Sequence, residues 1–387
     1  MYILFGVILS IATITEMNKD SRKNALVYKI LFLIMTLMLC LRYGQGTDYN
    51  AYQIQYQSID TSSSILVNSL YHGEIGWYIL MMVFKRLGCS FFVFVAIISL
   101  AMMIGFYKAT CRYIPMKSFS LLMLYPTYYL TYMYSAFRQG LVLSLFIWLG
   151  LEFLENKKYI WYYLLITLLI TLHTSAILLY ILPLIIHMKW KKPGTWVIFA
   201  FGAMIVLGYT GVLNGIAARF GVSSYFRVNI SWPAIIVRLL LGYSIIIMHR
   251  EIEKYAHDES EFFLYRIYIS GLLIYLGLSF TGTMSQRITM PMKAVETLLI
   301  PLQTSILIRL DRSNKIALTR FRISKHAVFA IPVLVIFVLN FELVKNINSY
   351  IGQGNYYEWV NVINYPYVSI FNKERIFEYI SHFKVMF

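Results

Sequence analysis

Ser90–Tyr107 reads SFFVFVAIISLAMMIGFY, a run without a charged residue. A stretch of about 18 or more such residues is long enough to cross some 30 Å of hydrocarbon as one helix. His326–Val344, HAVFAIPVLVIFVLNFELV, repeats the pattern, and similar runs recur along the chain. Of its 387 residues, 59% are hydrophobic and only 13% charged, whereas soluble domains carry roughly 25% charged residues. The strands of a membrane β-barrel alternate in polarity, so continuous apolar runs exclude one. The fold class is an all-α polytopic integral membrane protein, a single transmembrane domain over residues 1–387.

The apolar runs predict about twelve crossings, near 1–16, 25–41, 90–107, 118–135, 139–154, 159–172, 174–188, 195–213, 233–249, 262–281, 288–308 and 327–344. Orientation follows from the Lys and Arg that cytoplasmic loops collect. Arg309–Lys325 (RLDRSNKIALTRFRISK) carries six basic residues against one aspartate and belongs inside. By parity KWKK (189–192), HREIEKYAHDESE (249–261), ENKK (155–158), the Lys108/Arg112/Lys117 loop and KDSRK (19–23) join it. The net charge of +16 is therefore a topology signal, and no nucleic-acid partner is expected. Parity holds when Gly73–Gly88 (GEIGWYILMMVFKRLG) does not cross; its short apolar core, ending in Lys85-Arg86, suits a re-entrant or interfacial helix. Residues 42–88 then form an extracellular loop containing this half-helix. Both termini lie outside, with 345–387 an ordered, aromatic extracellular tail. MYILFGVILSIATITE lacks a basic leader and is read as a first span rather than a cleaved signal.

With that orientation, isolated polar groups gather on one face: Arg42 and Asp48 in RYGQGTDYNAYQ, Glu74, Arg138 in SAFRQG, His173 in TLHTSA, Arg219, Arg227 and Arg287. Arg238 sits about one turn into the helix that follows Arg227. An arginine at a helix end commonly snorkels to headgroups, and Tyr43, Tyr49, Tyr52 and Tyr56 read first as an interfacial aromatic belt. A lone histidine in a tight turn is more often a helix cap or buried hydrogen-bonder than a catalyst. Two features outweigh these bland readings. Arg138 and His173 have apolar flanks, where an ionisable group is costly. Single arginines also recur on the face where the positive-inside rule expects few. Guanidinium forks suit phosphate oxygens, and Asp48, Glu74 and His173 supply acid–base chemistry. The three cysteines form neither a disulfide framework nor a metal pair, and no metal site or cofactor is expected.

At these residues the sequence resembles the EpsG/Wzy-type exopolysaccharide polymerases, the enzymes of capsule and O-antigen repeat-unit assembly. The likeness runs through RYGQGTDYNAY, GEIGWYIL, YPTYYLTYMYSAFRQGLVLSL, LLITLHTSAILLYILPL, QRITMPM and NYPYVSIF, in that order. It implies a metal-independent glycosyltransferase of the cytoplasmic membrane. Such an enzyme joins oligosaccharide repeats carried on a polyprenyl (undecaprenyl-type) pyrophosphate at the extracytoplasmic face. On that basis Arg138, Arg42 and Arg287 would hold the pyrophosphate, and His173, Asp48 or Glu74 would deprotonate the acceptor hydroxyl. Arg219, Arg227, Arg238 and Tyr49 are further substrate-binding candidates. The expected partners are the lipid-linked oligosaccharide, membrane lipid and a chain-length regulator. A glycan ligase shares the donor chemistry and stands second. A transporter, which calls for mid-span charges and internal repeats, stands well behind.

Overall fold

In the computed structural model, which describes residues 1–18, 22–60, 74–188, 192–219, 228–312, 325–349 and 367–375, the apolar runs fold as helices. Hydrocarbon offers no water to backbone polar groups, so segments that satisfy their own N–H and C=O groups are favoured. In chain order they are α1 (Tyr2–Asn18), α2 (Arg22–Cys40), α3 (Tyr49–Ser58), α4 (Ile75–Arg86), α5 (Phe91–Tyr113), α6 (Lys117–Leu124), α7 (Phe137–Glu155) and α8 (Tyr159–Leu172). There follow α9 (Thr174–Ile185), α10 (Pro193–Thr210), α11 (Val212–Arg219), α12 (Trp232–Tyr255), α13 (Glu259–Gly277), α14 (Thr283–Ala294), α15 (Glu296–Arg312) and α16 (Lys325–Ser349). No strand forms among the described residues; Arg42 and Ser369 make an isolated bridge. Among the described residues, five helices are long and apolar enough to cross a membrane: α5, α7, α10, α12 and the Ala330–Ile347 part of α16. Tyr2–Asn18, Asn24–Cys40, Tyr159–Leu172 and Thr174–Ile185 are shorter apolar helices.

Several expected spans are not continuous α-helix, with a π segment at Phe146–Gly150 and a 3₁₀ stretch at Thr174–Ile181, and two interruptions matter most for packing. The span over 288–308 divides at Val295 into α14 and α15. On either side of that break, buried Lys293 lies over the Tyr275 ring and buried Glu296 pairs with Arg238. The span over 118–135 changes register: α6 runs into a π-helical segment, Tyr125–Met133. Its exit bonds run five residues back, Tyr134 N to Tyr129 O at 2.8 Å and Ala136 N to Thr131 O at 3.2 Å. Pro126 has no N–H to give an α-helical ladder. Its carbonyl is met by the side chain of Asn346 at 2.9 Å, and the widened turn aims Tyr125 and Tyr129 hydroxyls at the carbonyls of Tyr2 and Met35.

The chain divides into two compact units. The first comprises 1–152, 167–174 and 339–387. Its helices approach closely where residues are small, as is usual in membrane bundles: a Cβ on Gly105 would meet the Ser144 carbonyl at 2.8 Å, and one on Gly6 would meet Leu343 at 2.5 Å. Polar ties sort its helix ends. Glu16, late in α1, accepts from the backbone N–H groups of Ser118 and Phe119 at the start of α6, and Arg112 pairs with Glu152 at 3.5 Å. The opposite helix ends converge on the segment that follows α2. There α4 stays with α3: Trp77 packs on Tyr52 near its start, and Lys85 near its end donates to the carbonyls of Gln57 and Ile59, each at 2.6 Å. Both ends of this 12-residue helix are thus tied to the α3 segment.

The second unit comprises 153–166 and 175–338. Here α12, α13, α14 and α15 pack around buried polar pairs, with Gly242 against Leu272 and Gly271 against Met292. Residues from three connections expected on one face, among them Glu155 and Tyr159, His187 and Pro193, and His249 and Phe263, line one cavity of about 990 Å³.

Candidate active site

The segment after α2 is folded by what lies beneath it. Arg42 is wholly buried. It donates to Ser99 Oγ at 3.0 Å, to Met133 O at 3.5 Å and to the Leu39 carbonyl. Its guanidinium carbon also lies 4.4 Å from the Phe137 ring centroid and 4.9 Å from that of Tyr134. One side chain thus joins the end of α2, α5 and the corner between the π segment and α7. Gly46 follows with φ +117°, and a Cβ there would come within 2.6 Å of the Tyr134 carbonyl. This is a position only glycine fills without strain. The turn delivers Asp48 to the head of α3 and sets Tyr49 and Tyr52 against Phe137, with centroids 6.0 and 5.0 Å apart.

Above this floor three distant segments meet. Glu74, just before α4, pairs through Oε2 with Arg138 Nη1 in the first turn of α7. Its other oxygen, Oε1, accepts the backbone N–H of Thr174 at 3.1 Å and lies 3.9 Å from His173 Nδ1. His173 Nε2 is 3.0 Å from Gln139 Nε2. With the amide so oriented, Gln139 donates, Nε2 accepts, and the imidazole proton sits on Nδ1 toward Glu74. Arg138 Nε donates to the Tyr52 hydroxyl at 3.1 Å, which in turn reaches Asp48 Oδ2 at 3.5 Å. Local packing sets these positions: a Cβ on Gly76 would lie 2.2 Å from Thr171 Oγ1, and one on Gly140 2.7 Å from the Tyr132 carbonyl. Close approach at those two glycines brings the start of α4 to the end of α8, and α7 to the π segment.

The cluster is shielded but not sealed. Side-chain exposure is 26% for Arg138, 15% for His173 and 10% for Glu74. Burial pushes the Tyr52 hydroxyl up to about 12, against the pull of Arg138, so it stays a neutral donor to Asp48. Burial does the same for Tyr49, to about 12, against the pull of Arg42. Burial draws Arg42 down, partly offset by the surrounding tyrosines.

An arginine, a histidine and a glutamate converging at helix ends of an all-helical apolar chain narrow the comparison with known proteins. The profile of the EpsG family matches residues 25–351. The chain belongs to the EpsG family. Comparison with curated proteins and with solved structures returns no match. EpsG membership indicates a role in polysaccharide polymerisation at a membrane.

Within this EpsG chain, Asp48, Glu74, Arg138 and His173 come together. Arg42 and Tyr49 lie beneath them, enclosed by protein, so neither offers a free edge to a ligand. Arg238 and Arg287 belong to the second unit; Arg238 is buried against Glu296, and Arg287 is exposed on α14. Arg219 closes α11, its side chain outside the described residues, where Arg227 also falls. No group of three His, Cys, Asp or Glu among the described residues is arranged to hold a metal ion. Tyr52 and Gln139 join the cluster without having stood out in sequence. Tyr52 was expected in an interfacial belt and is instead buried between Arg138 and Asp48. Gln139 is adjacent to Arg138 and stands in the same SAFRQG motif, which is the signal that points to it.

Proposed function

We propose that this EpsG-family chain polymerises polyprenyl-pyrophosphate-linked oligosaccharide repeats at the extracytoplasmic face of the cytoplasmic membrane, with the Glu74–Arg138–His173 cluster as its active site. The observation that carries the reading is Glu74 itself: one carboxylate holds a guanidinium through one oxygen and faces an imidazole with the other, in a partly open site.

The chemistry asks for two services. The acceptor hydroxyl of one repeat attacks the anomeric carbon of the other chain, and the bond from that carbon to the pyrophosphate oxygen breaks. The bonding pair leaves with the lipid pyrophosphate. Arg138 suits the developing charge, because Nη1 and Nε are engaged by Glu74 and Tyr52 while Nη2 takes part in neither bond. His173 suits the proton: a hydroxyl taking the place of the Gln139 amide at Nε2 would lose its proton there. Glu74 then faces the imidazolium that forms. Asp48, held by Tyr52 and by Thr47 Oγ1 at 3.1 Å, orients the sugar. Arg42 supports this site from below.

The test is incubation of purified protein with defined polyprenyl-pyrophosphate-linked repeats, without added metal or nucleotide sugar. Laddered products that vanish in Arg138→Ala and His173→Ala, at unchanged protein level, support the reading. Full-length polymer from both variants ends it. Outer-face placement is checked separately by reaction of Thr174→Cys, an exposed position beside His173, with a membrane-impermeant thiol reagent in whole cells.

A further inference from the structure

Outside the cluster, one buried polar residue collects more of the chain than any role in proton or phosphate chemistry requires. Gln45, wholly buried, lies in the loop between Arg42 and Asp48. Its single carboxamide oxygen accepts the Tyr134 hydroxyl at 3.1 Å and the backbone N–H of Val368 at 3.0 Å, with the Tyr2 hydroxyl at 3.5 Å. Those donors come from the first helix, the end of the π segment and a segment more than 300 residues away. The distant segment does not touch Gln45 alone. Tyr43 N donates to Val368 O at 3.0 Å and Ile370 N to Leu41 O at 3.1 Å, so residues 41–43 and 368–370 form a short antiparallel clasp about the Arg42–Ser369 bridge. Ser369 in turn is fixed by Asn372, whose Oδ1 accepts from its N–H at 2.6 Å and its hydroxyl at 2.8 Å.

We infer that Gln45 is a positioning residue of the active site, and that the segment Tyr367–Arg375 is the strap it fastens. The inference rests on the polymerase reading above. Its geometry is short. Gln45 is three residues before Asp48 and bonds Tyr134, four residues before Arg138. Fixing this oxygen fixes the loop that carries Asp48 and Tyr52 relative to the corner that carries Arg138. Losing this buried acceptor strips the Val368 N–H of its partner and leaves the Tyr2 and Tyr134 hydroxyls, 3.2 Å apart, only each other. A shift of about 1 Å in a reacting geometry can cost about a hundredfold in rate. Gln45 touches no reacting atom, so its loss acts on turnover rather than on substrate affinity.

The test uses the full-length chain and the lipid-linked repeats already described. Gln45→Leu removes the acceptor and keeps the bulk. The expected result is a fall in kcat of about tenfold or more with KM within about twofold, and Gln45→Glu, which retains an acceptor oxygen, recovers most of the loss. A second readout needs no turnover. With the three native cysteines changed to alanine, Tyr43→Cys and Val368→Cys form a disulfide across the clasp, and Gln45→Leu slows its formation several-fold. Should Gln45→Leu fail to accumulate, Tyr134→Phe, which deletes one donor hydroxyl, serves in its place with a smaller fall in kcat and a slower cross-link. Wild-type kcat, or an unchanged cross-linking rate in the variant that accumulates, overturns the inference. So does a Gln45→Glu protein no better than Gln45→Leu. If Arg138→Ala and His173→Ala are inactive while Gln45→Leu is not, only the strap is refuted; if those two retain activity, the polymerase site itself falls.

Discussion

The two units use the same ionisable pairs in different ways. In the first, Arg138 and His173 share one carboxylate, Glu74, with side chains 10–26% exposed. In the second, Arg238 has Glu296 and His249 has Glu261, with side chains 0–9% exposed. Gln303 closes Glu261 further, donating to its Oε1 at 2.6 Å, while His249, with Tyr265 stacked 3.6 Å from its ring, also lines the cavity of this unit, so Arg238–Glu296 is the pair fully sealed. A charge sealed with its own partner is a structural element. Charges that share a partner and keep an open edge can exchange it for a ligand. Residue type alone does not separate these cases; the partner count and the exposure do.

The sharpest way to break the comparison is to delete the open cluster. Arg138→Ala and His173→Ala should each lower polymerisation by about 10²–10⁴-fold while leaving expression and thermal stability close to wild type. Because Glu74 links the two, Glu74→Gln combined with His173→Ala should lose little more than the worse single variant. Multiplicative losses, read from initial rates on lipid-linked repeats, would mean that the two groups act separately and that the shared carboxylate is incidental.

The sealed pair should answer to stability instead. Arg238→Ala leaves Glu296 buried beside a cavity, and removing one partner of a buried ion pair costs about 3–5 kcal/mol. The expected outcome is a clear drop in the unfolding temperature in detergent, with activity falling only as folded protein is lost. Replacing both partners, Arg238→Met with Glu296→Leu, should recover most of that stability, since apolar residues of similar volume commonly match a buried pair. A double variant that is stable but inactive would move this pair from scaffold to function.

These contrasts also explain what the sequence could reveal. Helices are legible because hydrocarbon imposes a length and an apolar composition: α5, α7, α10 and α12 begin within two residues of the expected spans, although α5 and α12 run six residues further. The break at Val295 and the π turn at Tyr125–Met133 are not legible, because Lys293 and Glu296 at the one and Pro126 at the other mark an interruption without saying whether the helix divides or widens. Arg138 and His173 are visible as ionisable groups with apolar flanks, and Glu74 as a polar group on the same expected face. Arg42 is visible as a single arginine at a helix end on that face, yet its fork is turned inward to Leu39, Ser99 and Met133. Sequence reports the cost of an arginine at a helix end and not where its fork points. Tyr52, Gln139 and Gln45 stand inside the motifs RYGQGTDYNAY and SAFRQG, but as tyrosine and glutamine near a membrane surface they point to no role until contacts across the fold assign one.

The smallest effect belongs to the residue between Arg138 and Asp48 in the open cluster. Tyr52→Phe removes one hydroxyl that accepts from Arg138 Nε and reaches Asp48. A hydrogen bond to a charged group is worth about 1.5–3 kcal/mol, but Arg138 keeps Glu74. The activity loss should therefore be about tenfold, well short of that from Arg138→Ala. The stability effect has a defined pH window. Burial raises Tyr52 from its ordinary 10.0 to about 12, so the folded protein holds this proton more tightly than the unfolded chain. Its contribution is full below pH 10 and is lost as pH rises toward 12. The gap in unfolding temperature between wild type and Tyr52→Phe should accordingly be constant through neutral pH and narrow in that alkaline range. A gap that closes near pH 7 would show that another group, not the tyrosine hydroxyl, controls how Arg138 is held, and Tyr52 would join the packing floor with Phe137 and Trp77.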